Sequence, residues 1–218
     1  NVCMSPSRKT ILITAGPTRE WIDPVRFLSN ESSGVVGYEL AKEAERLGHR
    51  VILISGPVSL PLITDIETIR IESARDLLKV LKDKIVQADI LFMAAAVADF
   101  RPVQSSSRKI KRSGHLTIKL KSNPDILKTL AHPRIKRGKI YVGFCIETEH
   151  VVKNAQRKLK EKNLDFMVAS SIKSKPFGEA KFSPVVLNQT GKPLVLKAES
   201  KQQFARTMFR FLKQKGHL

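Results

Sequence analysis

A set of short apolar runs that do not alternate limits the fold most: TILIT (10–14), RVILIS (50–55), the first half of DILFMAAAVADF (89–100), KIYVGF (139–144) and DFMVAS (165–170). A strand that is apolar on both faces must be covered on both faces, which calls for a parallel sheet between two helix layers. Helical stripes fall between the runs. Val36, Leu40, Ala44 and Leu47 predict a helix from Ser33 to Leu47, with Gly48 as its C-terminal stop. Leu77, Leu78, Leu81 and Ile85 predict one from an N-capping Ser73 to Ala88. Val151–Lys162 and Ser200–Lys213 read as two more, the last with Phe204, Met208, Phe211 and Leu212 inward. NPDILKTLA (123–131) reads as a helix start with Asn123 as N-cap and Pro124 first. TIRIE (68–72) is a shorter strand, HLTIKLK (115–121) alternates strictly, and SPVVLN–QTGK–PLVLKA (183–198) has hairpin chemistry. The expected fold is α/β: a Rossmann-like three-layer α/β/α sandwich with a mostly parallel sheet and a small antiparallel extension at 115–121 and 183–198.

Residues 1–9 read as a linker or tail and 10–218 as a single domain, a length that buries a substantial core. The chain starts at Asn1, as a domain cut from a longer protein would. NVCMSPSRK lacks a signal peptide's apolar run, and no run reaches the roughly 18 residues of a membrane helix. Cys3 and Cys145, the latter placed just after a strand, form neither a disulfide framework nor a zinc site, so the expected location is the reducing cytoplasm. The net charge of +19 attracts polyanions, either nucleic acid or a triphosphate with a phosphorylated substrate. Twelve of the Lys and Arg residues fall between Arg101 and Lys139 against one acid, Asp125, so the excess is concentrated after one strand.

Ligands of open α/β sheets bind at the carboxyl ends of the strands. The segments 15–37, 93–102, 122–127 and 143–149 all fall there. In SNESSGVVG, Ser32, Ser33 and Gly34 set hydroxyls and backbone N–H groups at a helix start, either an anion site or a plain cap. Arg19 and Arg26 suit a carboxylate or phosphate, or else pair with Glu20 and Asp23. AAAVADFRP lets a ligand approach a strand end, with Asp99 accepting from a ribose or base, binding a magnesium–phosphate complex, or simply capping the turn. SSSRKIKRSG, carrying Lys109, could fold over a polyphosphate or be an exposed loop. Phe144 could stack on a base or belong to the core. Lys158 and Lys162, four apart on one face, repel unless an anion lies between them. No metal-ligand set is identifiable.

ITAGPTRE, DPVRFLSNESSG, AAAVADFRP, KIK, NPDIL, GFCIETE and KNLDFMVA, in this order and spacing, resemble phosphopantothenoylcysteine synthetase, the phosphopantothenate–cysteine ligase of coenzyme A biosynthesis, from Lys9 to Lys213. In most bacteria that ligase is fused behind a flavin-dependent decarboxylase. The resemblance implies that 4'-phosphopantothenate is activated by CTP to an acyl-cytidylate with Mg²⁺ present, and that L-cysteine then displaces CMP. FMN would serve only a fused decarboxylase. The resemblance implies Asn30 as the residue holding the acyl-cytidylate and Lys109 as the catalytic lysine of the first step. It gives Gly16, Arg26, Ser32, Ser33 and Gly34 to the substrate, and Met93, Ala94, Ala95, Asp99, Lys109, Pro124, Asp125, Ile126, Leu127, Phe144, Lys158 and Lys162 to the nucleotide. It also implies a homodimer held through the antiparallel extension, and neither nucleic acid nor membrane as a partner. Cys145 and Ile146 stand where the family's GFAAET form has alanines, and the segment after KIK is short, which implies a small flap.

Two other readings fit less well. A Rossmann oxidoreductase needs GxGxxG after the first strand and an acid ending the second, but the second ends in Ser55. A nucleic-acid module needs aromatic platforms or a reader helix.

Overall fold

The computed structural model describes residues 8–112, 114–171, 184–189, 192–196 and 200–218. The chain opens with β1 (Thr10–Ala15), a small hairpin of β2 (Arg19–Trp21) and β3 (Phe27–Ser29), and α1 (Val35–Arg46). Next come β4 (Arg50–Ser55), β5 (Glu67–Arg70), α2 (Ala74–Lys84) with a 3₁₀ turn to Gln87, and β6 (Ile90–Met93). β7 (Phe100–Pro102) pairs antiparallel with β8 (Leu120–Ser122). Two short helices, α3 (Ile126–Leu130) and α4 (Pro133–Lys136), precede β9 (Ile140–Glu147) and α5 (Val151–Glu161). The remaining elements are β10 (Phe166–Ser171), β11 (Val185–Asn188), β12 (Leu194–Val195) and α6 (Lys201–Gln214).

Eight strands form one sheet in the order β12-β11-β10-β9-β6-β1-β4-β5. From β10 to β5 every neighbouring pair is parallel, and only the β10–β11 and β11–β12 pairs are antiparallel. The unalternating runs follow from this position. Ile11 and Ile13 pack into a cluster with Tyr38, Leu40 and Ala44 of α1 and Phe204, Met208 and Leu212 of α6. Leu12, between them, packs on the other face with Leu77 and Leu81 of α2 and Leu159 of α5. Successive side chains of one strand thus feed two cores, so Ile11–Ile13 leaves no polar position between the two layers. Local chemistry fixes the helix starts: Ser73 and Asp76 form a reciprocal capping box on α2, and the Ser200 hydroxyl caps α6. No helix among the described residues is long and apolar enough to cross a membrane.

The structure corrects several expectations. The polar loop after β1 contains the β2–β3 hairpin, pinned by an edge-on contact of Trp21 and Phe27. The first helix starts at Val35 rather than Ser33, after Gly34 in the left-handed region at φ +77°, with no side-chain cap. Asp125, not Asn123, caps α3; the Asn123 amide instead donates to the Ala98 carbonyl at 2.8 Å. The alternating stretch 115–121 is not a strand along its length. Within it only Leu120 and Lys121 belong to a strand; the Lys119 carbonyl still accepts from the Val103 N–H at 2.9 Å, and of His115–Lys119 only Ile118 is half-buried. β9 continues to Glu147, so Cys145 lies within a strand rather than after one. The 183–198 hairpin exists as β11 and β12 but joins the main sheet instead of standing apart. Its turn residues 190 and 191, and residues 1–7 of the expected tail, lie outside the described residues.

Candidate functional site

A cavity of about 650 Å³ opens at the carboxyl ends of β1, β6, β9 and β10. One wall is Ser29–Gly37, a second is Ala94–Val97, and a third is Phe144, Cys145 and Ile146 with Lys158, Val168, Ser170 and Lys201. The loops after β1 and β6 are laced together. The Ala96 N–H donates to the Gly16 carbonyl at 2.9 Å and the Thr18 N–H to the Ala96 carbonyl at 3.2 Å. The buried hydroxyl oxygens of Thr14 and Thr18 accept from the N–H groups of Ala95 and Ala98, each at 3.0 Å. Small side chains at 94–96 therefore keep the floor shallow while the backbone holds its shape. Gly16 and Gly34, both at positive φ, pack back to back under the wall; a Cβ on Gly34 would sit 2.8 Å from Val58 and 3.3 Å from the Gly16 nitrogen.

Asn30 spans two of these walls. Its amide donates to the Val97 carbonyl at 2.9 Å, while the residue stays exposed on the cavity side. Ser29 supports it through a 2.8 Å hydrogen bond to the Thr18 carbonyl. The Ser32 hydroxyl oxygen accepts from the Gly34 N–H at 3.3 Å, bending the chain into α1. At the far wall the Phe144 ring meets Phe204 edge-on. Burial pushes the Cys145 thiol up to about 11, with Lys158 pulling it down and Glu147 pushing it further up, so it is a neutral wall residue. Burial also holds the Lys201 ammonium below its usual range.

The structure brings Asn30, Ser32, Ser33, Gly34, Ala94, Ala95, Phe144 and Lys158 around one cavity, with Gly16 directly behind. Met93 is buried beneath it, and Ile126 and Leu127 belong to the second core cluster. Lys158 and Lys162 do not face each other across an empty gap. Lys158 pairs with Glu147 at 2.7 Å and Lys162 with Asp125 at 3.4 Å, so carboxylates relieve their repulsion. Asp99 is exposed, and its carbonyl accepts from the Asn123 N–H at 2.7 Å. Pro124 is half-buried just before the α3 cap.

Arg19, Arg26 and Lys109 lie off the cavity walls. Arg26 lies 3.5 Å from Asp23 and donates to the Ile110 carbonyl at 3.1 Å, while the Arg19 guanidinium stacks on Phe27 at 4.5 Å. Glu20 pairs with neither arginine; its carboxylate accepts from the Ala74 N–H at the start of α2. Lys109 is exposed on a segment tied to the β2–β3 hairpin. Sequence reasoning missed Glu31, Val168, Ser170 and Lys201 as cavity residues. Lys201 did leave a signal: a cation in the first turn of a helix sits against the helix dipole, which disfavours it there unless something negative is near.

The profile of the DNA/pantothenate metabolism flavoprotein C-terminal domain matches residues 7–215. The coenzyme A biosynthesis bifunctional protein CoaBC of Bacillus subtilis (strain 168) is 46% identical over 172 residues, 78% of this chain and 42% of that protein. The CoaBC protein of Vibrio vulnificus (strain YJ016) is 43% identical over 167 residues, 75% of this chain and 41% of that protein. This chain therefore spans about two fifths of the length of these curated relatives. Among solved structures, the C-terminal domain of a CoaBC protein superposes with a TM-score of 0.81 at 35% identity, covering 97% of both chains.

Proposed function

The chain belongs to the family of DNA/pantothenate metabolism flavoprotein C-terminal domains, and on that premise we propose that it is a phosphopantothenate–cysteine ligase. The observation that carries the reading is the convergence of SNESSG, AAAV, GFCI and Lys158 on one cavity, since these separate segments are the ones the resemblance assigns to acyl and nucleotide binding. In this reading the carboxylate of 4'-phosphopantothenate attacks the α-phosphate of CTP, releasing pyrophosphate and leaving an acyl-cytidylate. The amine of L-cysteine then attacks the acyl carbon and CMP leaves.

Asn30 holds the acyl part against the Val97 edge, and the N-terminus of α1 with Ser32 and Ser33 faces negative charge. Lys109, which lies off the cavity walls, is given the charge at the α-phosphate by the resemblance alone. Ala94 and Ala95 give the nucleotide room, Phe144 offers a ring face, and Lys158 a cation. Asp99, Asp125 and Lys162 form the outer part of the nucleotide end. Among the described residues no three His, Cys, Asp or Glu side chains come together as a metal cluster; Mg²⁺ enters with the triphosphate, where one or two carboxylates suffice beside the phosphate oxygens. FMN is assigned to no residue here and would serve a separate decarboxylase part. Residues 10–218 act as one cytoplasmic domain and pair as a homodimer, supported by the exposed apolar side chains of Phe100, Leu116 and Leu120 near β7 and β8.

Pyrophosphate release tests the reading, measured with 4'-phosphopantothenate and either CTP or ATP, with and without cysteine. Release that needs phosphopantothenate and prefers CTP supports it. A chain that releases none with either nucleotide is not this ligase, and ATP preference would overturn the CTP assignment alone. A salt-sensitive shift of DNA without any release would favour a nucleic-acid module.

A further inference from the structure

We propose that Asp23 is a positioning residue that clamps the backbone beside Lys109 and so sets where that ammonium sits. The role of Lys109 rests on the ligase reading above; the clamp itself does not. Asp23 occupies the turn between β2 and β3 and is buried, 1% exposed. One carboxylate oxygen, Oδ1, accepts from the N–H groups of Val25 and Arg26, each at 2.8 Å, which shapes the turn. The other, Oδ2, accepts from the Ile110 N–H at 3.2 Å and lies 3.5 Å from the Arg26 guanidinium. Arg26 completes the grip by donating to the Ile110 carbonyl at 3.1 Å. Both backbone polar groups of Ile110 are thus held by one ion pair from a hairpin 87 residues away in sequence.

Two further bonds tie the same segment down: Ser106 N–H to the Ile22 carbonyl at 2.9 Å, and the Ser105 hydroxyl to the Trp21 carbonyl. Without such ties a stretch holding Arg108, Lys109, Lys111 and Arg112 would repel itself and extend. A carboxylate suits the task because its two oxygens together meet four donors, more than an amide oxygen takes. Burial works to raise the Asp23 carboxyl, but the N–H groups of Val25, Ile110 and Arg26 and the Arg26 charge outweigh it, so the group stays ionised.

Asp23→Asn separates the two jobs. The amide oxygen can replace Oδ1 in the turn, while the NH₂ group then meets the Ile110 N–H donor to donor. Three readouts on the 218-residue chain test the clamp: tryptic cleavage within 105–112, pyrophosphate release, and cysteine transfer from supplied acyl-cytidylate. Loss of a charged hydrogen bond predicts roughly tenfold faster cleavage and roughly tenfold slower pyrophosphate release, with cysteine transfer within about twofold of the unsubstituted chain. Asp23→Ala, which also breaks the turn, should slow both half-reactions. Unchanged cleavage in Asp23→Asn overturns the clamp. Faster cleavage with both half-reactions slowed together reduces Asp23 to a structural residue and overturns the positioning role. If the unsubstituted chain releases no pyrophosphate, the ligase reading fails and the positioning role with it, while cleavage alone still decides the clamp.

Discussion

The two ends of the parallel sheet solve opposite problems. At the amino ends, side chains seal the backbone. Asp89 accepts from the Thr10 N–H at 2.7 Å, Asp165 from the Tyr141 N–H at 2.7 Å, and His49 from the Lys9 N–H at 3.3 Å. At the carboxyl ends the loops bond to each other through backbone and small hydroxyls, and Gly, Ala and Ser share the open cavity with Asn30, Phe144 and Lys158. Polar side chains at the closed end are used up by the fold, whereas those at the open end, Asn30 above all, keep a face toward the cavity. Substitutions at the open end should therefore change rates and leave stability alone, and those at the closed end should do the reverse.

Lys109→Gln gives the largest expected effect. Removing an electrostatic stabiliser costs roughly a hundredfold in rate, here in pyrophosphate release, with thermal unfolding unchanged because Lys109 is exposed. A near-normal rate would remove Lys109 from the mechanism. Asn30→Asp comes next. It sets a carboxylate oxygen against the Val97 carbonyl where the amide now donates, and loses the tether. Cysteine transfer should slow by roughly tenfold, the scale of one lost hydrogen bond, and acyl-cytidylate should accumulate. Mass spectrometry that finds no accumulation would end the assigned role of Asn30.

The sheet and its helix layers were the legible parts of this sequence, because a strand buried on both faces has little freedom in its composition. The apolar runs and the stripes of α1, α2, α5 and α6 all follow from that; the sealing side chains Asp89, Asp165 and His49 do not, and were not legible. The β2–β3 hairpin was not legible. Its turn does carry the Asp23–Pro24 signal, but its strands are only three residues long, too short for a pattern of alternation to show. Asn123 and Asp125 are both good caps, and only the Ala98 carbonyl, reached through tertiary structure, decides between them. The cavity was half legible. Strand-end loops with unusual polar content marked three walls, but Ser170 comes from a strand whose pattern speaks only of core, and Lys201 left only its unfavourable place in the first turn of a helix. The two arginines left both readings open in the sequence: Arg26 does pair with Asp23, whereas Arg19 stacks on Phe27, a contact no local pattern announces.

Asp165→Ala tests the closed end directly. It removes the acceptor for the Tyr141 N–H and the partner of Lys136 at 3.2 Å. Losing a charge-assisted hydrogen bond there costs about 1.5–3 kcal/mol. For a chain of this size that lowers Tm by about 2–4 °C per kcal/mol, readable by calorimetry. Both half-reactions should proceed at normal rates at 25 °C. A rate loss without a Tm loss would break the division between the two ends.

The smallest effect concerns His49, 8% exposed and stacked on Phe209. Burial first, and the nearby Lys9 charge second, hold its pKa below the usual imidazole value. The folded chain then takes up this proton less readily than the unfolded chain. Above about pH 6.5 the imidazole is neutral in both states and adds no pH dependence. As pH falls through that value the unfolded state gains the proton first, and stability declines until the lower folded-state pKa is passed. The cleft beside it, lined by Arg46, Arg206, Arg210 and Lys213 with Glu43 as the acid, contains more cations than anions, so a charged imidazole gains little there. Tm measured from pH 8 to 5 should therefore fall toward the acid side. His49→Gln keeps an acceptor for the Lys9 N–H but does not titrate, and it should flatten that part of the slope while leaving pyrophosphate release at pH 8 unchanged. An identical slope in the variant would assign the acid sensitivity to other groups.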